Sequence, residues 1–285
     1  MKLFDGKKVA QKILKELARD IKSAKITPKL AIIFVGNDEA SRLYVKLKKD
    51  TAQKVGINIE EYNFSTQASH EKIIAQIEKL NQDEKVHGII VQLPLPATMN
   101  ADDIISAIDP KKDVDGFHKE NQKLLEKGKP CPIPVLPMAI LVAIKQALKK
   151  KMVGKKALAL VNSETFGRVL KIILEKEGIK TEFLERNTCL IFGAEKRLKE
   201  TDILISVCGC PKMIKGDMIK EDAVLIDVGI TRYHDGKVVG DVDRKSVESK
   251  AAFLTPTPGG IGPVTVALLL RNVFLASRLA RRKDS

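Results

Sequence analysis

Aromatic residues are scarce in this chain: they make up 4% of the sequence, and tryptophan is absent. Proteins that bind single-stranded nucleic acid stack its bases on aromatic side chains, and this chain offers few such platforms. The formal net charge is nevertheless +14, which favours an anionic partner. Because the lysines are spread over many positions, we expect a basic, solvated surface that attracts an anionic small molecule, and no nucleic-acid partner.

Cysteines and long apolar runs are also scarce. The four cysteines are too few for a disulfide scaffold, and they form no Cys-X-X-Cys pair and have no histidine at zinc-site spacing, so we expect no metal. No apolar run approaches the roughly 20 residues of a membrane-spanning helix, and the first residues lack the features of a signal peptide. We therefore expect a cytoplasmic protein with no membrane partner.

What the sequence does contain is an alternation of short β-rich runs and longer amphipathic runs, which is typical of βα units around a mainly parallel sheet. The first helix is predicted over 7–24, and Gly56 is expected to end a later helix at 40–55. The predicted strands are 29–36, 57–64, 87–94, 156–163, 179–185, 202–208 and 223–229.

The chain is long enough at 285 residues for two hydrophobic cores. The segment 118–137 is first polar and then rich in proline, which predicts a crossing between two domains. We expect one domain over 1–120 and a second over 138–255. The last helix, 264–285, is expected to be strongly amphipathic and to complete the first domain.

Residues 40–50, ASRLYVKLKKD, predict a helix in which Tyr44 and Lys48 lie one turn apart. Residues four apart share a helix face, so the two head groups can converge on one point. Taken alone, a tyrosine ring beside a solvated lysine is the commoner arrangement. Gln92, in GIIVQLPLP, is expected just beyond the carboxyl end of a buried strand, where open α/β sheets bind ligands. Pro94 would keep the loop after it rigid.

Two further loops have an unusual composition. In DPKKDVDGFH, Asp113 and Asp115 precede a glycine, and such aspartates are most often turn formers. In TPTPGGIGPVT, Gly259 and Gly260 free the backbone for close approach to a ligand, just before a helix that Pro263 can start. A tight turn alone would also explain these glycines.

These stretches together resemble the bifunctional methylenetetrahydrofolate dehydrogenase/methenyltetrahydrofolate cyclohydrolase family. VGNDEASRLYVKLKKD, HGIIVQLPLP, DPKKDVDGFHKEN, AVLIDVGI, GDVD and TPTPGGIGPVTVALLLRN occur in the family's order and spacing. The resemblance implies an α/β fold with two domains, an N-terminal folate-binding domain and a Rossmann-like dinucleotide-binding domain, with a cleft between them. It also implies a homodimer and tetrahydrofolate derivatives as substrates.

By position, the resemblance implies that Lys48 is the catalytic lysine, that Tyr44 and Gln92 are its companions, and that Asp115 binds the pterin. A lysine kept partly neutral by burial can relay a proton when water attacks the methenyl cation. A carboxylate at Asp115 suits the amino and ring N–H donors of the pterin. The resemblance adds substrate-binding residues, which are Pro94, Gly259, Gly260 and Pro263.

The resemblance is weaker in the cofactor half. Asn162 stands where the family usually has the arginine that would meet the 2'-phosphate of NADP, whereas Ser163 and Gly167 are kept, and Thr165 could cap the following helix. The family's cysteine-histidine-serine run is replaced here by Leu184, Glu185 and Arg186.

An acidic residue at the position of Glu185 binds the ribose 2'-hydroxyl of NAD and repels a 2'-phosphate. NAD is therefore favoured here, although NADP is the family's usual cofactor and Arg186 could bind a phosphate. A solvated charge at the strand end would also explain Glu185. The remaining residues expected at the cofactor are Gly209 and Ile230.

Two alternatives remain open. The changes at Asn162, Glu185 and Leu136, where the family usually has a threonine, also fit a cyclohydrolase whose dehydrogenase activity is weak or lost. A basic nucleic-acid-binding α/β protein is supported only by the net charge, and a gel-shift assay beside a folate titration would separate it from an enzyme.

Overall fold

A computed structural model of the chain describes residues 1–149, 151–185, 193–233 and 235–281. The helices within this part are α1 Gly6–Ala24, α2 Glu39–Val55, α3 His70–Gln82, α4 Ala101–Ser106, α5 Lys119–Glu126, α6 Val135–Leu148, α7 Glu164–Glu175, α8 Glu195–Glu200, α9 Arg244–Val247 and α10 Ile261–Arg281. The strands are β1 Lys2–Leu3, β2 Lys29–Val35, β3 Asn58–Phe64, β4 Gly88–Val91, β5 Lys156–Val161, β6 Lys180–Glu185, β7 Ile203–Val207, β8 Val224–Asp227, β9 Thr231–Arg232, β10 Val238–Val239 and β11 Phe253–Leu254.

All seven predicted strands are present, with ends that differ by a few residues. The largest difference is at β4, which ends at Val91 instead of at residue 94, so Gln92 lies just beyond the strand. The four strands that were not predicted, β1, β9, β10 and β11, have two residues each. Two residues are too few for the alternating pattern by which a strand is recognised in a sequence.

The chain folds as two compact units. The six-stranded unit contains residues 1–10 and 136–265, and the three-stranded unit contains 11–135 and 266–285. The first ten residues therefore belong with the second half of the chain, because β1 pairs with β11. The segment 118–135 belongs to the three-stranded unit rather than lying between the units.

The three-stranded unit has a parallel sheet in the order β3-β2-β4. The central strand β2 is buried from Leu30 to Val35, as expected for a parallel strand that is covered on both faces. The loop after α4 adds one bridge to the sheet edge, between Ile89 and Asp113. This bridge places the DVDG segment beside the strand that leads to Gln92.

The six-stranded unit has a parallel sheet in the order β1-β11-β8-β7-β5-β6. After β5 the chain adds β6 on one side, and it then crosses over to add β7 on the other side. Such a reversal leaves a crevice at the carboxyl ends of the two strands, and doubly wound sheets bind ligands there. The segments that begin at Asn162 and Cys208 follow these two ends.

Helix α10 is long and apolar enough to cross a membrane by length and composition, but 56% of its apolar window is buried in the fold. Its Asn272 side chain donates hydrogen bonds to the backbone oxygens of Val114, at 2.9 Å, and Ile133, at 2.8 Å. The helix is thus a core element of the three-stranded unit. Cys210 is disulfide-bonded, and the sequence did not predict this bond.

Candidate active site

Helix α2 holds Tyr44 and Lys48, and both of its ends are capped. The Asp38 carboxylate accepts a hydrogen bond from the Ser41 N–H at 2.7 Å, and Gly56 adopts the left-handed conformation, with φ 86°, at the other end. The prediction that Gly56 ends this helix is confirmed. Because both ends are fixed, the helix face that presents Lys48 is held in one orientation.

Lys48 is a buried lysine that is only 7% exposed. Its Nζ donates a hydrogen bond of 2.8 Å to Oε1 of Gln92 and lies 4.9 Å from the centroid of the Tyr44 ring. The predicted convergence of these three residues is therefore present. Such a contact between an ammonium and an aromatic ring stabilises the charged form of the lysine.

Burial lowers the pKa of Lys48 from 10.5 to about 8, and the charge of Asp115 acts in the opposite direction. An ammonium loses hydration when it is buried, so the neutral amine becomes accessible near neutral pH. About a tenth of a lysine with this pKa is neutral at pH 7. An ordinary surface lysine has almost no neutral fraction at that pH.

Asp115 shows the reciprocal effect. Burial raises the pKa of its carboxyl group from 3.8 to about 6, the charge of Lys48 lowers it, and the charge of Asp113 raises it. Lys48 and Asp115 thus influence each other electrostatically within one unit of the fold. At pH 7 most of Asp115 is ionised and can accept hydrogen bonds.

Asp113, two residues earlier, has a structural role. It is 1% exposed, and its two carboxylate oxygens accept hydrogen bonds from the N–H groups of Gly116, at 3.0 Å, and His118, at 2.8 Å. The Asn121 side chain donates a third bond of 3.0 Å. These contacts fix the loop that presents Asp115, in agreement with the expectation that such aspartates form turns.

Gln92 is oriented by the backbone of the next residue. Its Nε2 donates to the Leu93 oxygen at 2.7 Å, which leaves Oε1 directed at Lys48. The Ser41 hydroxyl donates to the same Leu93 oxygen at 3.4 Å. Pro94 follows in the cis conformation, with an exposed ring. Ser41 was not predicted, and nothing in the sequence distinguishes it from an ordinary residue in the first turn of a helix.

The glycines of TPTPGGIGPVT belong to the six-stranded unit. Gly259 has φ 99°, and a Cβ atom on Gly260 would overlap the backbone oxygen of Pro256. Close backbone packing therefore accounts for Gly260, as the tight-turn reading allowed. Pro263 does not start the helix, because α10 begins two residues earlier, at Ile261. A proline in the first turn is tolerated because its missing N–H would have no partner in the helix.

In the cofactor half, β5 leads directly into α7. Ser163 is the N-cap of α7, and its hydroxyl accepts a hydrogen bond from the Phe166 N–H at 3.4 Å. The expectation that Thr165 caps this helix is wrong, since Thr165 lies inside its first turn. Gly167 was expected to bind the cofactor, but a Cβ atom there would overlap the Phe183 ring, so close helix–strand packing requires the glycine.

The other residues expected at the cofactor lie at the carboxyl edge of the same sheet. Glu185 is exposed at the end of β6 and lies opposite Val161, the residue before Asn162. Gly209, with φ 69°, follows β7, and Ile230, which is 59% exposed, follows β8. The sheet topology therefore brings these residues to one edge. Arg186 lies outside the described residues.

The chain matches two family models in succession. Residues 4–115 match the catalytic domain of tetrahydrofolate dehydrogenase/cyclohydrolase, and residues 134–281 match its NAD(P)-binding domain. The bifunctional protein FolD of Acetivibrio thermocellus is 40% identical over 282 residues, which are 98% of this chain and 97% of that protein.

Solved structures are similar as well. The bifunctional enzyme FolD, a methylenetetrahydrofolate dehydrogenase/cyclohydrolase from Campylobacter jejuni, superposes with a TM-score of 0.89 at 35% identity, covering 98% of this chain and 99% of that one. The Trypanosoma brucei enzyme, solved with NADP cofactor and inhibitor, gives a TM-score of 0.90 at 28% identity, covering 98% of both chains.

Proposed function

The chain belongs to the tetrahydrofolate dehydrogenase/cyclohydrolase family, and from this membership we propose how its residues perform the two reactions. The protein is an enzyme of one-carbon metabolism. It oxidises 5,10-methylenetetrahydrofolate to 5,10-methenyltetrahydrofolate and hydrolyses that product to 10-formyltetrahydrofolate. The observation that supports the residue assignment is the buried hydrogen bond of 2.8 Å between Lys48 and Gln92, with Asp115 near enough to affect the pKa of the lysine.

Hydrolysis adds water to the methenyl carbon, releases a proton and breaks one C–N bond. Lys48, with a pKa of about 8, accepts one proton of the water in its neutral form and returns it to the departing nitrogen, and the second proton is released from the hydroxyl group of the adduct as the C–N bond breaks. Gln92 holds the amine in place through Oε1, and the Tyr44 ring stabilises the ammonium that forms. Asp115 binds the pterin in its ionised form through charge-assisted hydrogen bonds.

The oxidation needs a nicotinamide dinucleotide, which supplies a hydride acceptor when it is bound. The residues of the six-stranded unit fit such a group, because the N-terminus of α7 follows β5 directly at the strand-order reversal and its N–H groups can bind phosphate. Ser163 and Asn162 would lie at the pyrophosphate and Glu185 at the adenosine ribose. Gly209 and Ile230 would border the nicotinamide half.

We propose that NAD is preferred over NADP. Glu185 is exposed at the end of β6, where its carboxylate can accept a hydrogen bond from the ribose 2'-hydroxyl but repels a 2'-phosphate. Asn162 supplies no compensating positive charge. We also propose a cytoplasmic homodimer, as the family resemblance implies, and light scattering on the purified protein measures its oligomeric state.

A cyclohydrolase without dehydrogenase activity is the second candidate, favoured by the same replacements at Asn162 and Glu185. The experiment that decides is oxidation of methylenetetrahydrofolate by the purified protein with NAD and NADP side by side, together with hydrolysis of methenyltetrahydrofolate. We expect both reactions, with better turnover with NAD. Better turnover with NADP would overturn the Glu185 assignment, and hydrolysis without any oxidation would establish the second candidate.

A further inference from the structure

Two carboxylates are buried under the cofactor edge of the six-stranded unit. Asp241 is 0% exposed and Asp227, the last residue of β8, is 4% exposed. Buried carboxylates are costly unless hydrogen bonds compensate the lost hydration. Burial, together with the charge of Asp241, raises the pKa of Asp227 to about 7. The contacts of the two carboxylates show what compensates the cost of burying them.

Asp241 is surrounded by donors from the loop after β7. Its Oδ2 accepts hydrogen bonds from the Ser206 hydroxyl at 2.7 Å, the Cys208 N–H at 2.9 Å and the Gly209 N–H at 3.3 Å. Its Oδ1 accepts from the Cys210 N–H at 2.6 Å. Successive backbone N–H groups directed at one anion form a nest, and here the anion is a side chain of the protein itself.

Asp227 holds the neighbouring segments in the same way. Its Oδ1 accepts from the N–H groups of Gly229, at 3.1 Å, and Asp241, at 3.0 Å. Its Oδ2 accepts from the Val242 N–H at 3.0 Å. Each carboxylate thus fixes backbone on a different segment of the chain.

The two segments also fit each other sterically. A Cβ atom on Gly229 would overlap the Asp241 carboxylate, and a Cβ atom on Gly240 would overlap the Asp227 carboxylate. Each aspartate therefore occupies the space that a glycine on the other segment leaves open. The IDVG and GDVD stretches of the sequence form one interlocked unit.

We propose that Asp241, supported by Asp227, is a positioning residue for dinucleotide binding. Asp241 fixes the loop that contains Gly209, and Asp227 fixes Gly229, the residue before Ile230. The Thr231 hydroxyl joins the two loops by a bond of 3.1 Å to the Gly209 oxygen. This inference rests on the proposed dinucleotide site, because Gly209 and Ile230 are the residues assigned to it.

Asp202 provides the matched control. It lies at the opposite edge of the same sheet, where its carboxylate accepts hydrogen bonds from the Lys156 N–H at 2.9 Å and from the Lys220 side chain at 2.6 Å. It stabilises the same unit but lies away from the carboxyl ends of the strands. A purely structural carboxylate should behave as Asp202 does.

The test compares Asp241→Asn with Asp202→Asn in the full chain. Dinucleotide affinity is measured by calorimetric titration with NAD and with NADP, the KM for the dinucleotide is measured in the oxidation, and hydrolysis of methenyltetrahydrofolate is measured in parallel. In Asp241→Asn an amide NH2 group replaces one carboxylate oxygen, and it cannot accept the hydrogen bonds that this oxygen accepted. The loop after β7 must therefore shift. We expect Asp241→Asn to raise Kd and KM for the dinucleotide about tenfold, with hydrolysis unchanged.

Ser206→Ala removes one of the four donors and is the milder variant if Asp241→Asn folds poorly. We expect it to weaken dinucleotide binding about threefold. Equal dinucleotide affinity in Asp241→Asn and Asp202→Asn, or unchanged affinity in Ser206→Ala, would overturn the inference. If the unmutated protein binds neither dinucleotide, the proposed cofactor site is itself wrong. This result is obtained before any variant is compared, so it is distinct from a failure of the inference about Asp241.

Discussion

Lys48 shows how a single residue acquires its chemistry from its surroundings. An exposed lysine four residues after a tyrosine would remain protonated at any physiological pH. Burial lowers its pKa to about 8, and Gln92 gives its proton a fixed acceptor. The same residue types in the same sequence spacing would have no such activity on a solvated helix face.

The pH dependence of hydrolysis follows from these pKa values. Because the neutral amine of Lys48 is the proposed reactive form, kcat for hydrolysis should rise with pH and level off above about 8. Below about pH 6, Asp115 becomes protonated and the KM for the folate should rise. The measurement is the decay of methenyltetrahydrofolate absorbance from pH 5.5 to 9.5, corrected for the uncatalysed reaction. A kcat that does not change between pH 6.5 and pH 9 would exclude Lys48 as the titrating group.

Asp115→Ala should weaken folate binding and leave dinucleotide binding unchanged. The loss of a hydrogen-bonded charge costs about 1.5 to 3 kcal/mol, which is more than tenfold in affinity. Calorimetric titration of both ligands measures this. Asp109→Ala is the control. Among the side-chain contacts described, the Asp109 carboxylate accepts one hydrogen bond, from the exposed Lys111 N–H at 2.9 Å. Equal loss of affinity for both ligands would show that Asp115 is not specific to folate.

Glu185→Ser should relax the cofactor preference. Serine can still form a hydrogen bond with the ribose hydroxyl, but it removes the charge that repels a 2'-phosphate. The kcat/KM for NADP should therefore rise relative to that for NAD. The ratio of kcat/KM for the two dinucleotides is the readout. Glu182→Ser, on the same strand and with 71% of its side chain exposed, should leave the ratio unchanged. If Glu185→Ser leaves it unchanged too, Glu185 is only a solvated charge.

At the scale of elements, α10 connects the site to the core of the three-stranded unit. Asn272, which is 7% exposed, bonds the backbone oxygens on either side of the 115–132 segment. One of them belongs to Val114, the neighbour of Asp115. The last helix of the chain thereby stabilises a loop that lies more than a hundred residues earlier.

Asn272→Ala tests this connection. One buried and one half-buried carbonyl group would lose their donor, so the free energy of unfolding should fall by about 1 to 3 kcal/mol and the KM for the folate should rise. Urea unfolding and the hydrolysis assay measure the two effects. Leu275→Ala, at a position on the same helix that is 42% exposed, is the control. A variant with normal stability and normal KM would show that the loop does not depend on α10.

The sequence predicted elements well where periodicity or glycine determines them. The strand at 156–163 and the end of α2 at Gly56 are examples. The short strands β1 and β11 were missed because their pairing depends on contacts between the two ends of the chain, which no local pattern records. Thr165 and Ser163 are equally good caps by residue type, and only the point at which β5 ends decides between them.

Residue roles were harder to predict for the same reason. Asp113 and Asp115 are equivalent in sequence, yet the three donors that surround Asp113 make it structural. Gly167 packs against the Phe183 ring, a contact that no local pattern in the sequence records. Asp241 was overlooked although its motif was recognised, because its partners lie more than thirty residues earlier in the chain.

At the scale of the whole molecule, we propose that the two units have separate tasks. The residues assigned to hydrolysis lie in 11–135, and those assigned to the dinucleotide lie in 136–265. A change in one set should therefore affect one ligand and leave the other unaffected. The two reactions of the enzyme provide internal controls for each other.

Hydrolysis of methenyltetrahydrofolate by Lys48→Met is the most direct test of the proposed site. Methionine replaces the buried stem of the lysine with a side chain of similar length but has no proton to exchange, so the fold and dinucleotide affinity should be preserved. Lys49→Met is the matched control, because Lys49 is 46% exposed and pairs with Glu61 at 3.0 Å. We predict that Lys48→Met loses at least about a hundredfold in kcat and that Lys49→Met does not. Near-normal hydrolysis by a folded Lys48→Met protein would contradict the assignment of Lys48 as the catalytic residue.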